Sequence, residues 1–417
     1  MLARAPLHLV SARPGRPSSR TSRITAAAAP RGDERNASSR REALSASLAL
    51  ATSALWLPGS LSAPPSALAA SVAVPRTSDA LRGTNVRPSR VIKGCWQLSG
   101  GHGGDRESDR TKGDAATLED FEAFARVGIT TFDTGPEACG YGPSELVIGE
   151  YLRSAAGRAR ADEVKVFTKL CCVGREQYNV TKDWVEANVE RPRKRLGVDK
   201  LAMVQMYWND YSSRGYVDAA LYLTDLKHQG KIEAVSLTNF DTKRMKEMVD
   251  AGAEISTNQI QYSLLDRRPE KYMTKYCAET GIGLLPYGVI AGGFLSDKYL
   301  NARPEDIRTN TYSLRKYASV LGQVGGYDWY QSLLKTLHEV ALKHRTSIAN
   351  VASKWVLDSP VVPAIIIGAR NSSHVSDHVA LFDFELDAQD RAAIENVLAK
   401  GTKSNEDAYT WERGGRW

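Results

Sequence analysis

LTDLKHQGKIEAVSLTNF, residues 223–240, contains a complete passage from helix to strand. Leu223 and Leu226 stand three apart on one face of a helical segment that Gly230 ends. Ile232 to Leu237 follows as a short apolar run of strand length, and Thr238 and Asn239 leave polar groups at its C-terminal end. A helix feeding directly into a buried strand is the repeating part of a parallel βα sheet. The number of repeats therefore decides the fold.

Working outward, eight such runs are found: Val91 to Gln97, Thr130 to Asp133, Val164 to Lys169, Met203 to Trp208, Ile232 to Leu237, Thr257 to Gln261, Gly283 to Tyr287 and Ala364 to Gly368. Amphipathic helices separate them. Val185, Val189, Pro192 and Leu196 share one helical face, with Gly197 as the stop. Eight units within 417 residues predict a single (β/α)8 TIM barrel over 86–400, behind an N-terminal segment (1–85) and before a tail (401–417). An open doubly wound sheet would need a phosphate loop after its first strand. Gly100, Gly101, Gly103 and Gly104 do follow strand one, but SGGHGGD lacks the G-x-G-x-x-G spacing and reads as a flexible loop. Leu300 to His344 is an insertion before strand eight, with a helix over Trp329 to Lys343 and a break at Gly325 and Gly326. The tail carries charge and two Trp, and is expected either to be disordered or to pack near the site.

Charge excludes one class of partner. Residues 1–69 hold nine Arg, no Lys and three acids, a net +6 of the chain's +7, so the remainder is close to neutral and no nucleic-acid partner is expected. That first segment reads as a bipartite targeting leader, disordered and cleaved near residue 69. Its opening is Arg- and Ser-rich, then come the twin Arg40 and Arg41, an apolar run from Ala43 to Leu57, and Ala67-Leu68-Ala69. The run is shorter than the roughly 20 residues of a bilayer-crossing helix, so no membrane span is expected. The order suggests a chloroplast protein, delivered to the thylakoid lumen by the twin-arginine route or left in the stroma. Cys95, Cys139, Cys171, Cys172 and Cys277 have no metal-site spacing and read as buried small hydrophobes, although a lumenal location would permit a disulfide.

Strand ends of a barrel converge on one face, which places Asp133, Lys169, Tyr207, Thr238, Asn239, Gln259 and Tyr287 together. A carboxylate and an ammonium there would pair, because either alone pays a large desolvation cost. A Lys held beside a Tyr lowers the phenol toward working pH and makes it a usable acid for a carbonyl oxygen receiving hydride.

From Arg90 to about Ala399 the chain resembles the aldo/keto reductase family. The resemblance lies in residues 223–240 and in GITTFDTG, YGPSELVIGEYL, KVFTKL, STNQIQYSLLD, LLPYGVIAGGFLSDKYL and IIIGAR. It implies NADP as cofactor, NADPH over NADH, and a small aldehyde or ketone as substrate. Thr238, Asn239 and Gln259 would hold the nicotinamide carboxamide, Tyr287 would stack on its ring, and Gly368 and Arg370 would lie by the adenosine phosphate, with His374 at a nearby position often basic in the family. Asp133 and Lys169 match the family's catalytic set. Two members depart. The Tyr expected five residues after Asp133 is Ala138, so either Tyr141 reaches across a longer loop or the phenol is lost. Where the family has His, this chain has Tyr207, which donates a hydrogen bond but does not titrate near neutrality. Tyr207 as the acid itself is a further alternative. Two other classes remain open: a nucleotide-binding barrel with little catalysis, acting in redox sensing or assembly, and a Schiff-base aldolase working through Lys169, which Asp133 argues against.

Overall fold

The computed structural model describes residues 77–100 and 113–417. The expected leader before residue 77, with its cleavage site, and the loop glycines Gly101, Gly103 and Gly104 lie outside the described residues. All eight expected strands form: β1 (Val91–Gly94), β2 (Thr131–Asp133), β3 (Lys165–Cys172), β4 (Leu201–Trp208), β5 (Ile232–Thr238), β6 (Ile255–Gln261), β7 (Gly283–Tyr287) and β8 (Ile365–Gly368). Each pairs in parallel with its sequence neighbour, and β8 returns to β1, closing the barrel. β1 is shorter than its sequence pattern, because Trp96–Ser99 winds into a 3-10 turn. β3 runs on through Cys171 and Cys172, carrying its ladder with β4 beyond Lys169.

Side chains alternate across each strand, so the register stacks the inward ones in layers. The lowest layer is apolar and holds Ile92, Phe167, Met203, Ala234, Leu285 and Ile366. Leu81, in the segment that the sequence pattern assigns to a linker, and Val86, at the expected start of the barrel, join this cluster and are buried. Their segment doubles back on itself through Leu81 N–H to Val86 O (2.9 Å) and fills the lower end of the barrel. Above the apolar layer the register aligns Lys169 with Gln205, Gln205 with Ser236 and Ser236 with Thr257. The next inward positions are Cys171, Tyr207, Thr238 and Gln259.

Outward residues meet the helices. Helix Lys182–Leu196 buries Val185, Val189, Pro192 and Leu196; Thr181 caps its start, and Gly197 ends it at φ 72°, a left-handed conformation that costs glycine nothing. The insertion contains two helices where one is expected. Tyr312–Val324 precedes Gly326–His344, and its Tyr317, Val320, Leu321 and Val324 supply an apolar face that packs into a second cluster with Phe294, Tyr330 and Leu333. Among the described residues no helix is long and apolar enough to cross a membrane.

Phe167 is fully buried in the lowest layer, where the closed barrel cannot collapse around a void. Phe167→Ala is therefore expected to lower unfolding stability by about 3–5 kcal/mol, read as a shifted midpoint in chemical denaturation.

Candidate active site

Four strands and one loop meet on the carboxylate of Asp133. Lys169 Nζ donates to both of its oxygens at 2.9 Å and spends its third proton on Thr134 O at 2.8 Å. Gln205 and Gln259 donate their side-chain amides to Oδ1 at 2.7 and 2.6 Å, and the Tyr141 hydroxyl donates to Oδ2 at 3.1 Å. Asp133 is 2% exposed and Lys169 5%. Two charges this deep persist only when nearly every donor and lone pair is used, as here.

Tyr141 reaches this cluster because its surroundings are fixed on both sides. Ser144, three residues on, bonds Thr134 Oγ1 at 2.7 Å. Buried Glu145 accepts from Thr168 at 2.5 Å and from Arg195 at 2.8 Å, tying the helix that starts at Ser144 to β3 and to helix Lys182–Leu196. The phenol ring crosses directly over Gly135, where a Cβ would lie 2.9 Å from it. Lys169 Nζ stands 4.4 Å from the ring centroid, above its face. The expected Lys–Tyr device is thus changed in form. The hydroxyl faces Asp133, and burial together with that carboxylate pushes the Tyr141 phenol well up rather than down. Burial also lowers the Lys169 ammonium, against the pull of Asp133.

At the mouth, Tyr207 is half-buried between Cys171 and Thr238 in register. Burial raises its phenol, while Arg413 draws it back. Asn239 sits at φ 63°, donates its N–H to Gln259 O at 2.8 Å, and accepts at Oδ1 from the Tyr287 hydroxyl at 3.1 Å. Tyr287 also bonds the hydroxyl of Tyr409, and Lys316 Nζ donates to its oxygen at 3.2 Å while standing 4.9 Å from its ring centroid. Gly368 is the last residue of β8 and Arg370 stands two residues beyond it, both exposed, and His374 is exposed beside Asp377 at 3.0 Å.

Sequence reading missed Gln205, Lys316, Tyr409 and Arg413. Gln205 carried a signal, a polar residue at an inward position of a strand between Met203 and Tyr207. The tail carried only its charge and its two Trp, from which packing near the site was one of two expectations. It packs at the mouth: Arg413 donates to Trp208 O at 2.9 Å and Asn239 O at 3.0 Å, and Glu412 pairs with Arg268 at 2.7 Å, itself buried against Asp266. The reading of all five cysteines as buried hydrophobes is also corrected. Cys139 and Cys171 are joined in a disulfide with their Cα atoms 5.8 Å apart, whereas Cys95, Cys172 and Cys277 are buried free thiols. Among the described residues no group of three or more His, Cys, Asp and Glu could hold a metal ion.

The residue types at the mouth suit a nicotinamide. Tyr287 offers an aromatic face. Gln259 directs its amide N–H groups inward to Asp133 and Gln205, which leaves its Oε1 as the acceptor. Gln97 Oε1, buried beside Gly368, has no hydrogen-bond partner among the described residues.

The profile of the aldo/keto reductase family matches residues 90–399. Aldo-keto reductase YhdN of Bacillus subtilis is 25% identical over 323 residues, covering 76% of this chain and 91% of that protein. The chloroplastic pyridoxal reductase of Arabidopsis thaliana is 25% identical over 307 residues, covering 71% and 80%. The solved structure of glycerol dehydrogenase AKR11B4 from Gluconobacter oxydans superposes with a TM-score of 0.62 at 26% identity, covering 78% of this chain and 95% of that one. A closed eight-stranded barrel with a buried Asp–Lys pair one layer below its mouth, matched by the family profile along its whole length, belongs to the aldo/keto reductase family of oxidoreductases.

Proposed function

We propose that this chain reduces a small aldehyde or ketone with NADPH, with Tyr141 as the proton donor. The observation that carries the reading is the interlocked Asp133, at the end of β2, Lys169, inside β3, and Tyr141, in the loop after β2. When bound, the reduced nicotinamide supplies the hydride that the carbonyl carbon accepts. The chain's own residues do the rest. Tyr287 offers the stacking face, Asn239 and Thr238 the neighbouring polar groups, and Gln259 an acceptor for a carboxamide N–H. Tyr141 holds its proton across the working pH range and delivers it to the carbonyl oxygen, because a developing alkoxide is a far stronger base than a phenolate. Lys169 keeps positive charge against that ring, and Asp133 keeps Lys169 in place. Tyr207 stands where the family has His and offers a neutral hydroxyl to the same oxygen.

Arg370 supports NADPH over NADH, since a guanidinium in the turn after β8 suits an adenosine phosphate. The Lys169–Asp133 pair disfavours a Schiff-base role, because all three ammonium protons are spent. Delivery to a plastid is part of the same proposal, supported by the leader's composition and by the chloroplastic relative.

Tyr141→Phe keeps the ring and removes the proton. Carbonyl reduction, followed as loss of nicotinamide absorbance, is expected to fall by about 10²–10⁴ in kcat/KM with nucleotide affinity unchanged. If Tyr141→Phe reduces carbonyls as well as the natural chain does, the donor is another group; if the natural chain reduces none of a broad panel, the nucleotide-binding alternative stands instead. The rate should be full while Lys169 is protonated and fall as pH rises through its pKa. Burial sets that alkaline limb below the range of an ordinary lysine, and Lys169→Arg should remove it from the pH–rate profile. Tyr207→His should raise kcat several-fold while the ring is neutral and add an inflection below the ordinary histidine value of about 6.5, because burial and Arg413 both disfavour the imidazolium. An unaltered profile in that variant would show that the ring at this position does not face the reacting oxygen.

A further inference from the structure

Cys139 stands two residues before Tyr141, and Cys171 stands two residues after Lys169. The disulfide between them joins the loop that carries the candidate proton donor to the strand that carries its ammonium partner. Cys171 shares the inward face of β3 with Lys169, one layer nearer the mouth and beside Tyr207 in register. Among the described residues, the hydrogen bonds of the turn at 136–140 are its own backbone bonds, and Glu137, Ala138 and Gly140 are exposed.

We infer that Cys139 and Cys171 are a redox site: a dithiol reductant opens their disulfide, and the opened loop lets the Tyr141 hydroxyl leave Asp133 for the mouth of the barrel. The catalytic consequence rests on the reading of Tyr141 as proton donor, whereas the chemistry at sulfur does not.

Access to the bond is built into the surface. A cleft of about 340 Å³ opens between the 136–138 turn and helix Lys182–Leu196, with Cys171 on its wall and Asn188, Arg191 and Arg195 opposite. Thiolate exchange at a disulfide passes through anionic sulfur, and the exposed Arg191 at the same opening favours it, while Arg195 is already paired with Glu145 and Glu137 lines the turn side. Cys139, the less buried partner, takes the attack from the exposed side of the 137–140 turn, and the Cys171 sulfur that leaves faces the cleft. The reductant's first thiolate bonds to Cys139 Sγ, the Sγ–Sγ bond breaks, and Cys171 leaves as a thiolate. The reductant's second thiolate then displaces Cys139. Two electrons enter the chain, the reductant departs as a disulfide, and its two protons end on Cys139 and Cys171. Exchange stays local, because Cys95, Cys172 and Cys277 are buried, and burial pushes Cys95 up to about 11 and Cys277 up to about 12, which keeps them as thiols.

In the joined form the phenol proton is directed at Asp133, in the interior, rather than at the mouth. Opening the bond removes the covalent limit on the loop while Ser144 and Glu145 still hold the helix that follows.

The test uses the full chain with dithiothreitol as the dithiol. Without it, neither Cys139 nor Cys171 should alkylate; after it, both should, as read by mass spectrometry of the peptides. Amide hydrogen exchange across residues 134–143 should rise on reduction, and kcat for carbonyl reduction should rise several-fold. Cys139→Ser and Cys171→Ser should each show the reduced chain's exchange and rate with or without dithiothreitol. Free alkylation of both cysteines in the untreated chain overturns the proposal, as does exchange over 134–143 that reduction leaves unchanged. Faster exchange with an unchanged kcat strikes at Tyr141 as the donor and leaves the redox site standing.

Discussion

A lysine and an aspartate, both almost wholly withdrawn from water, face each other near the top of the barrel, and the chemistry of the mouth depends on their staying charged. Their mutual attraction alone would not offset the loss of hydration. The balance is met by saturation: Lys169 uses three protons, and Asp133 accepts from Lys169, Gln205, Gln259 and Tyr141. Removing one member of such a pair costs on the order of 3–5 kcal/mol, because the other is left buried and uncompensated. The donors come from β3, β4, β6 and the loop after β2, so a one-residue slip of any of these strands would turn a donor outward and leave a charge unmet. Barrel register and site electrostatics are therefore one constraint.

That constraint also fixes what the neighbouring groups can do. Gln259 cannot turn its amide toward a ligand as a donor without deserting Asp133, so it is an acceptor at the mouth. Tyr141, sharing the carboxylate, is held as a protonated phenol, suited to giving a proton to a strong base and unsuited to ionising by itself. Asn239, whose side chain meets Tyr287, is placed by backbone geometry instead: its left-handed conformation directs the N–H to Gln259 O and the side chain toward β7. Asparagine tolerates that conformation better than most residues, which gives the polar residue after β5 a reason beyond its amide.

The barrel was legible because burial writes a period into the sequence. Short apolar runs separated by one-faced helices specify strands and their order, and closure follows from their number. Strand ends were less legible: β1 stops early at a 3-10 turn and β3 continues through two cysteines, both decided by tertiary contacts. The meeting of Asp133 with Lys169 could be read from strand ends alone, and YGPSE pointed to Tyr141 because it leads into a helix in the way the resembled family places its Tyr before that Gly. The Cys139–Cys171 bond could not be read. Its cysteines lie 32 positions apart and come together only when the loop after β2 folds over the end of β3. Helix Tyr312–Val324 was hidden for a different reason, since the glycines that end it read as loop.

The tail explains why the mouth differs most from the sequence expectation. Residues 407–417 have no periodicity, yet they deliver Tyr409 to Tyr287, Arg413 to the carbonyls of Trp208 and Asn239, and Glu412 to buried Arg268. Arg413 is also the cation that acts on Tyr207, drawing its phenol back against burial. A histidine at that strand end would face the guanidinium as a competing cation whenever it was protonated, and the cost would grow as the site dried. A phenol takes no positive charge. Tyr207 and Arg413 are thus compatible in a way that His and Arg413 are not, so the exchanged residue on β4 and the unpatterned tail are two parts of one adjustment of the barrel's mouth.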